Sequence, residues 1–313
     1  MKTIFYGTPE IAVPFLELLA RRTEVVAVVS QPDKPAGREL KIAPTPVNRK
    51  ARELGLRVLQ PNKPSEIAAE LKALGADFAV AVAYGRILKP DVLSAPKLGT
   101  LNVHFSLLPA YRGAAPVQWA LAHGEKKSGV TVFWLDEGMD TGPIFIRKEM
   151  EVGPEDDARS LFDRMQGRGL TALGDAIELI GRGEISRTPQ SGAASVAPLI
   201  KKEDARLSLS FPAEKIHNLA RAFVLWPKAY FEMQGGKRLI VLRTRLEVAS
   251  GSSASGQGAI ERIDAEGAVL VECGVGSRLW FLSVQPEGKK PVRPADFLNG
   301  LRLKAGDVWP VLS

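Results

Sequence analysis

The chain has 313 residues, of which 45% are hydrophobic and 25% are charged, and its formal net charge is +7 at pH 7. This length exceeds the usual size of one domain, so we expect two, and the composition is typical of a globular protein with a buried core. One cysteine excludes an intramolecular disulfide, and with three histidines it argues against a dedicated zinc site. The most apolar stretch, residues 78–83, is shorter than the roughly 20 residues that a membrane helix needs, so we expect a soluble cytoplasmic protein.

Apolar runs alternate with helical patterns from residue 2 to about residue 180. Thr8 and Pro9 predict the start of one helix, and Thr45 and Pro46 predict the start of another, because threonine is a good N-cap and proline suits the first helical position. This alternation predicts an α/β domain with a Rossmann-like, mostly parallel sheet. The predicted strands cover residues 2–6, 24–29, 57–59, 77–83, 100–104 and 130–135, and further helices are predicted from 65, over 115–122 and over 156–180.

A stretch rich in Pro, Gly, Ser and Ala at residues 186–202 predicts a linker. We therefore expect a catalytic domain over 1–188, a linker over 189–204 and a second domain over 205–313. One helix (213–223) and short alternating strands predict a small, OB-like β-barrel there. Trp226 is expected in its core. The predicted strands of this domain are 238–243, 258–263, 268–272 and 279–284.

The positive charge is concentrated in two regions. Residues 205–313 hold 15 Lys and Arg against 10 Asp and Glu, and residues 31–52 hold six against two. A polyanion that contacts both regions would gain attraction and release counterions. Charge alone leaves open a second interpretation, in which surface lysines only keep the protein soluble.

Asn102 and His104 lie two residues apart at the end of a predicted strand, so their side chains share one face. Ligands of open α/β sheets bind at the carboxyl ends of the strands. An amide beside an imidazole suits acyl transfer to an amine, because fixed donors stabilise the developing oxyanion and a titratable group can take a proton. A structural histidine and a turn-forming asparagine are the alternative.

Asp140 lies in a glycine-flanked loop and is a candidate third member, which would orient His104 and help to move a proton. The alternative is an aspartate that bonds to its own backbone in a turn. The segment Gly7-Thr8-Pro9-Glu10 follows the first strand but lacks the G-x-G-x-x-G pattern, and no P-loop is present. The sequence therefore argues against nicotinamide and ATP chemistry.

The motifs around these residues resemble those of the folate-dependent formyltransferases. The core of the resemblance is formed by Asn102-Val103-His104-Phe105-Ser106-Leu107-Leu108-Pro109, Tyr111-Arg112-Gly113-Ala114-Ala115-Pro116 and Met139-Asp140-Thr141-Gly142. It extends over nearly the whole chain, to a branch of the family that acts on tRNA, through Phe5-Tyr6-Gly7-Thr8-Pro9-Glu10, Gln31-Pro32-Asp33-Lys34-Pro35-Ala36-Gly37-Arg38 and Asp296-Phe297-Leu298-Asn299-Gly300.

The resemblance implies that Asn102, His104 and Asp140 are catalytic and that the co-substrate is 10-formyltetrahydrofolate, with no metal. It places the folate beside two segments, Ser106, Leu107, Leu108 and Pro109, and Arg86, Ile87 and Leu88.

The resemblance also implies that the acceptor is the amino group of methionyl-initiator tRNA. It makes residues 34–49 a loop that enters the acceptor end of the tRNA, with Arg38, Lys34 and Lys41 meeting phosphates. We expect a monomer. Two alternatives stay open: a formyltransferase for a small acceptor such as an amino-sugar nucleotide, and a tRNA-binding protein without catalysis. The two basic regions argue against a small acceptor.

Overall fold

The computed structural model describes residues 1–36, 41–247 and 256–312, and the chain divides into two compact units. Unit 1 comprises Met1–Gly113, Lys127–Glu151 and Asp163–Ala197, and unit 2 comprises Ala114–Lys126, Val152–Phe162 and Pro198–Ser313. The predicted division into 1–188, 189–204 and 205–313 stays a prediction.

Unit 1 contains a seven-stranded sheet and two small two-stranded sheets. Its strands are β1 Lys2–Gly7, β2 Glu24–Val29, β3 Lys34–Ala36, β4 Lys41–Ala43, β5 Val58–Leu59, β6 Phe78–Val82, β7 Thr100–His104, β8 Arg112–Gly113, β9 Lys127–Trp134, β10 Ile144–Glu151 and β11 Val196–Ala197. The helices that begin in the first 113 residues are α1 Val13–Arg22, α2 Pro46–Glu53, α3 Ala68–Ala73 and α4 Pro90–Leu93.

The large sheet has the order β10-β9-β7-β6-β1-β2-β5. Five neighbouring strands of this sheet are parallel, namely β7, β6, β1, β2 and β5. Strands β9 and β10 complete the sheet in antiparallel fashion. All five residues of β6 are buried, as their continuous apolar sequence requires in a central strand. The strand order reverses between β1 and β6, which confirms the predicted Rossmann-like sheet and places a topological switch point there.

The two predicted helix starts have different outcomes. Thr45 caps α2 as predicted, because its side-chain oxygen accepts a hydrogen bond from the backbone N–H of Asn48. The start predicted at Thr8 is wrong, since α1 begins at Val13 after a short 3-10 helix. The Thr8 hydroxyl instead donates to the carbonyl of Tyr84, at 2.9 Å, and so joins the ends of β1 and β6.

Unit 2 is built around a five-stranded antiparallel sheet with the order β12-β13-β16-β15-β14, in agreement with the predicted small barrel domain. Helices α5 and α7 contact each other, and α7 also packs on β13. The strands are β12 Tyr230–Glu232, β13 Arg238–Leu246, β14 Ile260–Ile263, β15 Val269–Glu272 and β16 Arg278–Pro286. The other α-helices among the described residues are α5 Pro116–Ala122, α6 Ala158–Gly181, α7 Ala213–Ala222 and α8 Pro294–Gly300.

The core of unit 2 contains Phe231, Phe281 and Trp309, and the rings of the last two are stacked with centroids 4.9 Å apart. The prediction that Trp226 lies in the core is wrong, because its side chain is 52% exposed. Trp226 follows α7 in the turn that leads to β12, and half of its surface stays open to solvent there. Within the described part of the chain, none of the helices has the length and hydropathy of a membrane-crossing segment.

Candidate active site

Strand β7 delivers Asn102 and His104 to the carboxyl edge of the sheet. It lies between β6 and β9, where Asn102 is opposite Ala81 on one side and Phe133 on the other. The strand alternation puts both side chains on one face, with Asn102 half-buried and His104 buried. The predicted pair is therefore held by a rigid central strand.

The two ring nitrogens of His104 have different surroundings. Nε2 lies 2.8 Å from the backbone carbonyl oxygen of Tyr111. A carbonyl can only accept, so Nε2 carries a hydrogen and donates. Nδ1 lies 3.6 Å from Oδ2 of Asp140. The structure therefore brings His104 and Asp140 together, although they are 36 positions apart in the sequence.

Asp140 is held outside the ordinary backbone regions. Its φ is +55°, a left-handed conformation that costs a non-glycine residue roughly 1–2 kcal/mol. Its carboxylate oxygen Oδ2 accepts a hydrogen bond from the backbone N–H of Gly113, at 2.7 Å. The side chain is 14% exposed. The carboxylate is thus fixed from another chain segment while it faces His104.

In this loop, Asp136 is the aspartate whose side chain bonds within its own turn. The side chain of Asp140 bonds instead to the Gly113 N–H. Oδ1 of Asp136 accepts hydrogen bonds from the Gly138 N–H, at 3.1 Å, and from the Thr141 hydroxyl, at 2.7 Å. Asp136 therefore closes the turn, and the Asp140 carboxylate is left to face His104.

Two further residues complete this arrangement, and the sequence analysis assigned a role to neither. Gln190 donates from Nε2 to the carbonyl oxygens of Asp140 and Gly142, both at 2.8 Å. Its Oε1 accepts from Arg112, at 3.2 Å from Nε and 2.7 Å from Nη2. Arg112 lies within the family motif, but Gln190 lies in the stretch whose composition predicts a linker. Only its three-dimensional contacts identify it.

The predicted folate segment at residues 106–109 is tightly bonded within itself. The Ser106 hydroxyl donates to the carbonyl of Ala110, at 2.6 Å, and the Ser106 carbonyl accepts from the Thr131 hydroxyl, at 2.7 Å. Ser106, Leu108 and Pro109 are buried, and Leu107 is half-buried. The Ser106 hydroxyl is therefore engaged in shaping the loop.

The second predicted folate segment follows β6, next to the loop that follows β7. Its entry is fixed because the carbonyl of Tyr84 accepts from both Thr8 and Gln31. Arg86 donates to the carbonyl of Asn62, at 2.6 Å. Ile87 is 84% exposed, whereas Leu88 is buried. An apolar side chain so exposed at the ligand-binding edge of the sheet is available to pack against the flat face of a ring.

Within the predicted tRNA loop, residues 34–49, β3 and β4 pair as an antiparallel hairpin, and residues 46–49 belong to α2. Lys34 is exposed on β3, Lys41 is the first residue of β4, and Arg38 lies outside the described residues. Asp33 fixes the base of the hairpin by accepting from Asn48 and Gln60 side chains and from the Thr45 N–H. Burial acts to raise the pKa of Asp33, but hydrogen bonds from Gln60 and Asn48 outweigh it and hold the pKa below its usual range.

Among the side chains that the structure describes, no group of three or more His, Cys, Asp or Glu residues is arranged to hold a metal ion. The expectation of a reaction without a metal stays a prediction.

The sequence of this chain matches models of one protein family. The match agrees with the mostly parallel sheet, the antiparallel second sheet and the polar cluster after β7. The chain belongs to the formyl transferase family: residues 2–177 match the formyl transferase model and residues 199–302 match the formyl transferase C-terminal domain.

Two relatives that match nearly the whole chain carry the same name. The chain is 44% identical to the methionyl-tRNA formyltransferase of Elusimicrobium minutum (strain Pei191), over 98% of this chain and 99% of that protein. It is 41% identical to the methionyl-tRNA formyltransferase of Sorangium cellulosum (strain So ce56), also over 98% and 99%. A solved N-formyltransferase from Helicobacter canadensis, in complex with folinic acid and dTDP-3-aminofucose, has the same fold with a TM-score of 0.68 at 20% identity, covering 91% of this chain and 99% of that chain.

Proposed function

We propose that the protein transfers the formyl group of 10-formyltetrahydrofolate to the amino group of methionyl-initiator tRNA. The observation that carries the proposal is the convergence of His104 and Asp140, beside Asn102, in a chain that is similar over its full length to methionyl-tRNA formyltransferases. His104 and Asp140 both lie within the part of the chain that matches the formyl transferase model.

The reaction needs one bond exchange and one net proton transfer. The methionine nitrogen attacks the formyl carbon, a C–N bond forms, and the bond from that carbon to N10 of the folate breaks. The amine loses one proton and N10 gains one. Asp140 is the group placed to take the proton from the amine, directly or through a water molecule, because its carboxylate is anchored but partly open to solvent.

Asn102 and His104 stabilise the oxygen of the formyl group as it gains negative charge. The Asn102 amide is a fixed donor on a rigid strand. Since Nε2 of His104 is engaged by the Tyr111 carbonyl, Nδ1 is the nitrogen that faces the reaction. A hydrogen on Nδ1 would be shared between Asp140 and the formyl oxygen, and the Asp140 carboxylate stabilises the resulting imidazolium.

The folate is proposed to bind along the loops that follow β6 and β7. The exposed Ile87 side chain supplies an apolar contact for the pterin, with Arg86 and Leu88 on either side of it. In the segment Ser106, Leu107, Leu108 and Pro109, the contribution comes from the shape of the loop and its main chain, because the Ser106 hydroxyl already bonds within the loop.

The tRNA is proposed to contact the β3–β4 hairpin, through Lys34, Arg38 and Lys41, together with the basic C-terminal region. The excess of Lys and Arg over Asp and Glu in residues 31–52 and 205–313 is the pattern expected for a polyanionic acceptor. An amino-sugar nucleotide would not need two separate basic regions.

The test is a filter assay for radiolabelled formyl incorporated into acceptor by the purified protein with 10-formyltetrahydrofolate. We expect incorporation into methionyl-initiator tRNA that is at least about tenfold faster than into methionyl-elongator tRNA or an amino-sugar nucleotide, because the proposal names the initiator species as the acceptor and a small amine lacks the phosphates that would contact the two basic regions. Uncharged initiator tRNA, which lacks the amine, is the blank. Formylation of the small amine alone would contradict the proposed acceptor, and tRNA binding without any formyl product would indicate a non-catalytic protein.

A further inference from the structure

Gln190 is the one side chain in the described part of unit 1 that bonds to both the Asp140 loop and Arg112. Its orientation is dictated by chemistry, because a guanidinium can only donate and a carbonyl can only accept. The amide oxygen must therefore face Arg112, and the amide nitrogen must face the carbonyls of Asp140 and Gly142. Both ends of the amide carry two hydrogen bonds, so the side chain has one arrangement that satisfies all of them.

The loop that Gln190 holds is under conformational constraint. Asp140 has a φ of +55°, and a Cβ on Gly142 would lie 1.8 Å from the carbonyl oxygen of Trp134. The main chain at Gly142 thus lies close against the end of β9, and the carbonyls of Asp140 and Gly142 both accept from Gln190. Two hydrogen bonds from one amide hold both carbonyls at once.

The segment that carries Gln190 also fixes the other side of the site. Thr188 forms a bridge with Ile144, and β11 pairs with β8. Ser195 accepts from the Tyr111 N–H through its hydroxyl, at 2.9 Å, and Tyr111 is the residue whose carbonyl holds His104. Residues 188–197 therefore contact the main chain next to both Asp140 and His104.

We propose that Gln190 is a positioning residue for formyl transfer: it fixes the main chain of Asp140 so that the carboxylate stays between the Gly113 N–H and Nδ1 of His104. This inference rests on the proposed function for its catalytic consequence, but the geometry that it asserts exists without substrate. It assigns an active-site role to a residue outside the segments 102–113 and 139–142.

The first test uses Gln190→Glu and Gln190→Leu. Glutamate keeps the acceptor for Arg112 but replaces both donated hydrogen bonds with repulsion between a carboxylate and two carbonyls, and leucine removes all four hydrogen bonds. Gln166→Glu is the matched control, because Gln166 also donates to a main-chain carbonyl in unit 1, that of Ile11, at 3.1 Å. We expect both Gln190 variants to lower kcat about tenfold or more, with KM for either substrate changed less than about threefold. Gln166→Glu should lower kcat less than about twofold.

A double-mutant cycle distinguishes positioning of Asp140 from a general destabilisation of unit 1. If Gln190 acts through Asp140, Gln190→Leu should cost less than about twofold when Asp140 is already replaced by asparagine. An equal loss of kcat in both backgrounds, unchanged kcat in Gln190→Glu, or a loss confined to KM would overturn the inference.

A measurement without turnover distinguishes this inference from the proposed function. The chain has three histidines, His104, His123 and His217, so their imidazole ¹⁵N signals can be assigned and followed at fixed pH. We expect Gln190→Leu to shift the Nδ1 signal of His104 and leave the other two histidines unchanged. An unmoved His104 signal contradicts the positioning role even if wild-type protein formylates tRNA, and a moved signal in a protein that formylates nothing contradicts only the proposed function.

Discussion

Asp140 bonds through its main chain and its side chain to different parts of unit 1. Its carbonyl is held by Gln190, one carboxylate oxygen is held by the Gly113 N–H, and the same oxygen faces His104. Two of these contacts survive if the charge alone is removed, since an asparagine oxygen can still accept from Gly113. The residue therefore offers a substitution that separates chemistry from folding.

We expect Asp140→Asn to lower kcat on the order of 100-fold, because an amide neither takes the amine proton nor stabilises a positively charged His104. Steady-state formylation kinetics and thermal unfolding measure the two effects. The matched control in the same loop is Asp136→Asn, which keeps an oxygen for Gly138 and Thr141 and should change kcat less than about threefold. Equal kinetic losses in the two variants would argue against the catalytic assignment.

At the residue scale, the motifs were enough to nominate Asn102, His104 and Asp140, and the structure brings His104 and Asp140 together. The family motifs identify residues that must lie close together in the fold, even where a long stretch of sequence separates them. Gln190 could not be found in this way. Its surroundings, Thr188-Pro189-Gln190-Ser191-Gly192, have the composition of any surface loop, and its role depends on partners 50 and 78 residues away.

Helix α7 is joined to β13 by a buried polar contact. Nδ1 of His217 lies 2.9 Å from the Thr244 hydroxyl, and both side chains are buried. Burial lowers the pKa of His217, and the nearby Arg221 guanidinium lowers it further. The folded protein therefore favours the neutral imidazole more strongly than the unfolded chain does.

This shift predicts a pH dependence of stability. The unfolded chain protonates His217 near pH 6.5, while the folded protein resists protonation until a lower pH. The unfolded state thus binds more protons in that interval, so the free energy of unfolding falls as pH drops below about 6.5 and levels off below the folded pKa. His217→Gln should remove this component, which urea titrations of both proteins across the interval would measure. Parallel pH profiles for the two proteins would contradict it.

At the element scale, local sequence signals predicted which segments form helices and strands better than they predicted the residues at which these elements begin and end. Thr45 and Pro46 begin α2 as predicted, because the cap bond runs to Asn48 only three residues away. Thr8 and Pro9 carry a similar local signal, but the Thr8 hydroxyl is used by Tyr84, 76 residues later in the chain. Trp226 shows the same limit, since exposure depends on what the rest of unit 2 leaves uncovered.

For the whole molecule, the placement of charge matters more than its total of +7. The excess in residues 31–52 and 205–313 is an electrostatic footprint for an anion much larger than a folate. Composition alone reveals this excess, because the net charge of a chain segment does not depend on the fold, but the same excess also fits surface lysines that only keep the protein soluble. Which of these cations point at one surface could not be predicted, since that depends on the strand register.

We expect kcat/KM for methionyl-tRNA to fall steeply with rising salt, because each phosphate contact releases counterions. Arg38→Ala should lower kcat/KM and reduce the slope of its logarithm against the logarithm of salt concentration by about one. The comparison is Lys72→Ala, which removes an exposed cation from α3 and should leave the slope unchanged. Kinetics insensitive to salt, or equal slopes for Arg38→Ala and wild type, would contradict a phosphate contact at Arg38.

The distance along the chain between the parts of the site has a consequence for biosynthesis. Tyr111 is bonded to Ser195, 84 residues later, and Asp140 to Gln190, 50 residues later. A nascent chain can form β7 and β9 well before the ribosome has added residues 188–197. Such a chain already contains the proposed catalytic side chains but not the segment that bonds to the main chain of Tyr111 and Asp140. On the proposed assignment, the site is complete only after residues 188–197 have been added and have left the ribosome, with 116 of the 313 residues still to follow residue 197.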